Sequence, residues 1–330
     1  MLDKYSREIN YLRVSITDRC NLRCIYCRPK EGISLRGHED ILRYEEMLRV
    51  ISVAVKMGLI KVRVTGGEPL VRRGFVEFIA ELKSIDGLKD ISLTTNGILL
   101  AAFARGIYDA GISRINVSLD SLNKDKYFQI TRGGNLDDVL RGIARAEEIG
   151  FSPIKINTVA IKGFNDDEAL DFVRLAEEKP FQVRFIELMP VGKTHRDYGQ
   201  DYIPASQLIE KIRRRYELEP VKQKINKSDG PAKIFKIKGG RGEIGFINPV
   251  SDHFCSTCNR MRLTSDGKLR ACLLNESEVD LKTALKENCS DAELEKLIWD
   301  AVLLKPKQHD MVCTDNSLKK CSRNMSEIGG

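Results

Sequence analysis

The stretch Leu12-Arg13-Val14-Ser15-Ile16-Thr17-Asp18-Arg19-Cys20-Asn21-Leu22-Arg23-Cys24-Ile25-Tyr26-Cys27 places a short aliphatic strand directly before three closely spaced cysteines. Branched apolar residues over 12–16 suit a buried strand, and the polar run that follows ends it. Three thiols in a CxxxCxxC spacing can each take one iron of a cubane cluster, one fewer than full protein ligation needs. A position left open marks a metal site that does chemistry rather than one that only braces a fold. The competing readings are a zinc site or three unrelated buried thiols. Structural zinc usually takes four protein ligands, and this loop offers no histidine.

Outward from that stretch the chain alternates strand-like and helix-like segments. Further strands are expected at 61–65, 91–95, 114–119, 155–160 and 182–188, each short, aliphatic and closed by a polar or glycine-bearing turn. Helical periodicity marks 45–57, 136–149, 166–178 and 204–218. Repeated β–α units imply parallel strands with right-handed crossovers. Six such strands could make an open sheet or a partial barrel; the expected fold is α/β, an incomplete TIM-type barrel of about six parallel strands, with functional residues on loops at the strands' C-terminal ends. The pattern breaks at the polar stretch 222–231. Short β-like pieces follow at 233–238, 243–248, 261–264 and 268–273, then helices at 278–287 and 291–302 and an irregular tail from 305. The expected division is a core domain of 1–228 and a smaller α+β C-terminal domain of 229–330 carrying a second metal site.

That second site is Cys255-Ser256-Thr257-Cys258 followed, after thirteen intervening residues, by Cys272. Again three cysteines stand together, either as a second iron–sulfur cluster with an open iron or as structural zinc with His253 as a fourth ligand. Arg260 and Arg262 flank Met261 beside this group, and alternate positions of a strand point the same way. Next to a cluster such a pair suits a triphosphate; elsewhere it suits a solvated face. Cys289, Cys313 and Cys321 lack ligand spacing and read as incidental thiols.

Composition sets the outer limits. The 330 residues are 42% hydrophobic, enough for a full core, and carry 54 basic and 47 acidic side chains, a formal net charge of +7. Both signs are mixed along the chain, so the excess suits an anionic substrate such as a nucleotide more than nucleic acid. Residues 1–10 are too polar for a signal peptide, and no apolar run approaches the roughly 18 residues of a membrane span. The expectation is a soluble cytoplasmic protein, in which nine cysteines serve as ligands or buried thiols rather than disulfides.

Cys20, Cys24 and Cys27, with Gly66-Gly67-Glu68-Pro69 closing the second strand, resemble the signature of the radical S-adenosylmethionine (SAM) superfamily. Adding Thr94-Thr95-Asn96-Gly97, Ser118-Leu119-Asp120, Cys255/Cys258/Cys272 with Arg260 and Arg262, and Ile328-Gly329-Gly330, the chain resembles the GTP 3′,8-cyclase family, which opens molybdenum cofactor biosynthesis. The match runs from about Arg13 to the end.

The resemblance implies two 4Fe–4S clusters, with Tyr26, Gly67, Ser118 and Met189 contacting SAM. Arg13, Arg63, Thr94 and Lys155 would contact GTP, joined by Arg260, Met261 and Arg262 from the C-terminal region. Gly329 and Gly330 would thread into the active site and assist catalysis. Tyr26 and Met189 rest on the resemblance alone. It further implies that a 5′-deoxyadenosyl radical takes hydrogen from C3′ of GTP, that C3′ then joins C8 of guanine, and that the product is 3′,8-cyclo-7,8-dihydroguanosine triphosphate. Partners implied are an electron donor and a downstream cyclic pyranopterin monophosphate synthase, with a monomer or homodimer and no membrane or nucleic acid. Two alternatives compete: another two-cluster radical SAM enzyme, such as one that modifies a peptide, and a non-enzymatic iron–sulfur or zinc protein that binds nucleic acid.

Overall fold

The computed structural model describes residues 1–34, 36–192, 198–221, 230–309, 321 and 323–329. In chain order the elements are β1 Tyr11–Ser15, α1 Tyr44–Lys56, β2 Lys61–Thr65, α2 Phe75–Lys83, β3 Asp90–Thr95, α3 Leu100–Asp109, β4 Ile115–Ser118, α4 Lys124–Thr131 and α5 Leu136–Ile149. Then come β5 Ile154–Ala160, α6 Ala169–Glu178, β6 Gln182–Glu187, α7 Tyr198–Asp201, α8 Ala205–Arg213, β7 Leu218–Pro220, β8 Lys233–Ile237 and β9 Glu243–Ile247. The remainder is β10 Arg260–Leu263, β11 Lys268–Arg270, β12 Glu278–Asp280, α9 Leu281–Lys286, α10 Asp291–Leu303 and α11 Met325–Ile328.

Helix signals work as their chemistry requires. α1 buries Met47, Val50, Ile51 and Ala54 on one face, and at its start the Glu46 carboxylate accepts from the Arg43 N–H at 2.7 Å. Asn135 caps α5 by accepting from the Asp137 N–H, and Gly150 ends it in the left-handed conformation at φ +103°. On β5, Ile154, Ile156, Thr158 and Ala160 are buried while Lys155, Asn157 and Val159 alternate with them on the opposite face.

All twelve strands belong to one sheet, in the order β12-β11-β10-β1-β2-β3-β4-β5-β6-β9-β8-β7. From β10 through β1–β6 to β9 every pairing is parallel, and the antiparallel strands stand at the two ends. The parallel run therefore holds eight strands rather than six. The two extra ones, β9 and β10, come from the region expected to fold separately, and they flank β6 and β1 in the same sheet. The expected boundary near residue 228 falls outside the described residues.

Other departures have local causes. The helix expected at 278–287 begins only at Leu281, because 278–280 pairs with β11 and the Asp280 side chain then caps the helix by accepting from the Lys282 and Thr283 N–H groups. The helix expected at 204–218 stops at Arg213, since Leu218 pairs with Ile237. The helix expected at 166–178 opens as a 3-10 turn over Asp166–Glu168 and becomes α-helical at Ala169, with the Glu168 carboxylate accepting from Ser121 and from the Leu122 and Asn123 N–H groups. The tail is not wholly irregular: α11 forms with the Glu327 carboxylate accepting from the Asn324 N–H at 2.9 Å. Among the described residues no helix is long and apolar enough to cross a membrane.

Candidate active site

One cavity is lined by side chains from all eight parallel strands, including Arg13 of β1, Arg63 of β2, Thr94 of β3, Asn157 of β5, Arg184 of β6 and Arg262 of β10. Both cysteine groups open into it: Cys20, Cys24 and Cys27 on one side, Cys255, Cys258 and Cys272 on the other. All six are free thiols.

The first group sits on a loop braced by the glycine turn after β2. The Gly67 N–H donates to the Thr17 carbonyl at 2.7 Å and the Glu68 N–H to the Arg19 carbonyl at 2.8 Å. Any Cβ at Gly67 would collide with the Arg19 carbonyl oxygen, so only a bare backbone lets the turn lie against the cysteine loop. Glu68 is fully buried and links this turn to β3, accepting from Thr95 Oγ1 (2.8 Å), the Asn96 N–H (2.7 Å) and the Leu70 N–H (3.1 Å). Burial outweighs those donors and lifts its carboxyl to about 7. Tyr26 donates its hydroxyl to Asp120 Oδ2 at 2.7 Å, and Asp120 Oδ1 accepts from the Val159 N–H, which joins the cysteine loop to the ends of β4 and β5. Burial raises Asp120 to about 6.

One thiol of each group shows how differently the site can act on a cysteine. Burial pushes the Cys27 thiol up to about 12, with the neighbouring Cys20 adding to the shift. Burial also pushes Cys258 up, but the Arg260 and Lys305 charges more than offset it and bring the thiol down to about 6.

The basic wall follows from strand register. Arg262 lies opposite Arg13, and Arg13 opposite Arg63, so three arginines stand side by side across β10, β1 and β2. Like charges directly opposite one another destabilise a sheet, and the row itself contains no carboxylate. Arg63 donates through Nε to Ser92 Oγ at 3.2 Å, and Arg262 donates through Nη1 to the Gly329 carbonyl at 2.6 Å. The Thr94 and Asn157 side-chain oxygens are buried in the cavity wall and have no partner among the described residues.

Of the residues singled out from the sequence, Tyr26, Gly67, Ser118, Met189, Arg13, Arg63, Thr94, Arg260, Arg262 and all six cysteines line this cavity. Lys155 does not reach its wall; it lies on the same face of β5 as Asn157 and Val159, which do. Met261 faces the other way and is buried in the hydrophobic core, so its side chain makes no part of the site. Gly329 sits against the ends of β1 and β2; Gly330 lies outside the described residues, as does Cys313. Sequence reading missed Arg184, Asn157 and Asp120 as wall residues. Arg184 had a usable signal, a basic residue inside the aliphatic run 182–188, whereas Arg13 and Arg63 were singled out by the family resemblance.

The donor chemistry suits iron–sulfur clusters. Among the described residues no three His, Cys, Asp or Glu side chains close on a single ion, whereas a cubane spreads its thiolates over separate irons. His253 is turned to the Pro249 carbonyl through Nδ1 at 3.0 Å and meets His309 edge to face at 4.3 Å.

Sequence comparison decides the family. The radical SAM superfamily profile matches residues 14–176, and the profile described as Molybdenum Cofactor Synthesis C matches 181–311. A GTP 3′,8-cyclase from Moorella thermoacetica is 51% identical over 330 residues, covering the whole of both chains. The chain belongs to the GTP 3′,8-cyclase family. Proteins of the same name from Alkaliphilus oremlandii (48% over 331 residues) and Petrotoga mobilis (49% over 330 residues) also match along all of both chains. Membership in the GTP 3′,8-cyclase family makes it a radical SAM enzyme of molybdenum cofactor biosynthesis. Among solved structures, Streptococcus suis SuiB bound to S-adenosylmethionine superposes with a TM-score of 0.57 at 15% identity, over 83% of this chain and 63% of that one, a likeness of fold.

Proposed function

We propose that this cavity holds GTP between two iron–sulfur clusters and converts it to 3′,8-cyclo-7,8-dihydroguanosine triphosphate, the first step of molybdenum cofactor biosynthesis. The observation that carries the assignment is the row Arg262-Arg13-Arg63, three in-register cations in a cavity that also contains two three-thiol groups. A triphosphate carries several negative charges spaced to meet adjacent guanidinium groups.

Cys20, Cys24 and Cys27 would hold one 4Fe–4S cluster, and Cys255, Cys258 and Cys272 a second. When bound, the first cluster with SAM supplies a carbon-centred radical. The protein's share is orientation and shielding. Gly67 offers bare backbone for close approach to SAM, and Tyr26, Ser118 and Met189 share that end of the cavity. Arg13, Arg63, Arg260 and Arg262 hold the triphosphate, and the partnerless Thr94 Oγ1 offers a hydrogen bond to the nucleotide. Met261 serves as the core-facing residue that keeps its two neighbouring arginines on one face. Lys155 acts from beneath the wall. Gly329 accepts from Arg262, which ties the tail to the phosphate-binding row.

In this reading the core region 1–228 makes the radical and shares the substrate with the region 229–330, and the sheet common to both curves into a part-barrel around them. Support for the curvature is that all eight parallel strands contribute to one cavity wall. The reaction needs an external electron donor, and its product goes to a cyclic pyranopterin monophosphate synthase in the cytoplasm.

The test is anaerobic reconstitution followed by separate measurement of deoxyadenosine and cyclised nucleotide. Cys24→Ala should abolish SAM cleavage. Cys272→Ala should spare SAM cleavage without substrate yet prevent GTP conversion. Equal loss of SAM cleavage in both folded variants would show that the two sites do not divide the work in this way.

A further inference from the structure

The second cysteine group is built on the open end of a hairpin. β10 and β11 pair antiparallel from Arg262 opposite Arg270 to Leu263 opposite Leu269. Cys258 precedes β10 and Cys272 follows β11, so both lie at the end where this pairing has stopped. The spacing between two ligand-bearing chain segments therefore needs another determinant.

Lys305 is placed to be that determinant. Its Nζ donates to the Arg260 carbonyl at 2.7 Å and to the Ala271 carbonyl at 2.7 Å. One acceptor lies two residues after Cys258 and the other immediately before Cys272. The lysine is 4% exposed and arrives directly after α10. The strap that continues from it is tied down by Arg7, which donates to the Pro306 carbonyl (2.7 Å), the Lys307 carbonyl (3.1 Å) and the Cys255 carbonyl (2.8 Å). Asp3 pairs with the other edge of that guanidinium at 2.6 Å. The ammonium is thus held inside, and both of its hydrogen bonds go to backbone around the cysteine group.

Its charge has no carboxylate among the described residues. Arg7 is matched by Asp3, but Lys305 has no ion-pair partner there. A buried cation costs free energy unless a nearby anion compensates it, and the neighbouring Cys258 and Cys272 are the groups whose thiolates would do so.

We propose that Lys305 is a positioning residue for the second cluster: its ammonium staples the two ligand-bearing ends of the β10–β11 hairpin together, and its buried charge raises that cluster's reduction potential. This rests on the reading that Cys255, Cys258 and Cys272 hold a cluster.

The test uses the reconstituted full-length protein with Lys305→Met, Lys305→Gln and Lys305→Arg. Each is titrated with reductant and followed by electron paramagnetic resonance, and SAM cleavage without GTP reports on the first site. In the Met and Gln variants the second cluster's reduced-to-oxidised ratio at the wild-type midpoint should fall about tenfold, about 59 mV for a one-electron couple. Loss of the second signal alone, with its iron, equally supports the stapling role. The first signal and SAM cleavage should stay at wild-type levels, and Lys305→Arg should restore the second potential. Unchanged potential and line shape in the Met and Gln variants would overturn the proposal. If the Met variant does not fold, the Gln and Arg pair decides, and equal potentials in those two overturn it. A wild-type protein with no second signal would instead remove the cluster reading itself, and Lys305's role with it.

Discussion

Lys155 lies behind the cavity wall, from where it is proposed to act on substrate. Burial and the neighbouring Arg184, Arg63, Arg114 and Lys61 charges pull its ammonium down to about 7. In the free protein the unfolded chain therefore binds a proton that the folded one lacks between about pH 7 and the ordinary lysine value. Lys155 then makes stability rise with pH across that window. A bound triphosphate reverses the local field and favours the charged form. GTP affinity should accordingly fall as pH rises above about 7, by up to about tenfold per unit, with proton uptake on binding. Isothermal titration at several pH values in buffers of different ionisation heat measures both. Lys155→Met should bind GTP more weakly and with a flatter profile, and a profile as steep as wild type would remove Lys155 from the substrate site.

The C-terminal segment is the element whose placement matters most. Its residue Arg323 pairs with Asp266 at 3.0 Å and with Glu278 at 2.7 Å, and Arg36 reaches Asp266 and Glu327 from the loop after the first cysteines. Val191, Cys321 and Ile328 form a small apolar cluster with Met189, Leu273, Leu274 and Met325 packed on it. These contacts deliver Gly329 to the ends of β1 and β2 at φ +81°, where a Cβ would stand 2.8 Å from Thr65 Cγ2. Gly329→Ala is therefore strained by both conformation and contact. Deleting Gly329 and Gly330 should leave cluster content and GTP binding nearly intact while turnover falls by about a hundredfold, the scale of misplaced reacting groups. Arg323→Ala should reduce turnover in the same way but less. Single-turnover product formation beside iron analysis separates these effects from loss of folding, and full activity after the deletion would return the tail to a dispensable end.

At the scale of the whole molecule, chemistry and folding are divided differently. The two profile matches meet near residue 180, yet β9 and β10 from the second region pair with β6 and β1 from the first. A fragment ending at 221 would lose both flanks of its parallel run. It would expose the edges of β1 and β6 with their unpaired backbone groups. The intact apoprotein should unfold in one cooperative transition, and fragments 1–221 and 230–330 should not fold separately. Circular dichroism and calorimetry of the three chains check this; two separate transitions would mark independent domains.

Local chemistry was legible in the sequence because its signals are short-ranged. Cysteine spacing, the two glycines before Glu68, and aliphatic runs closed by turns each act within a few residues. They marked Cys20, Cys24, Cys27, the strands β1 to β6 and helix α5, whose expected bounds of 136–149 match the structure. Arg13 entered through the family resemblance, and the structure sets it in the cavity wall while its neighbours Leu12 and Val14 face the core. Periodicity could not show that β10 pairs beside β1, because that contact joins residues about 250 apart and depends on the whole sheet closing in one order. That pairing set Arg262 beside Arg13, in line with Arg63 on β2, and turned Met261 into core. The chain leaving α10 brought Lys305 to the carbonyls beside Cys258 and Cys272. Residue type and spacing determined which chemistry the chain can carry; strand register decided which charges face each other, since a one-residue slip sends every side chain to the opposite face.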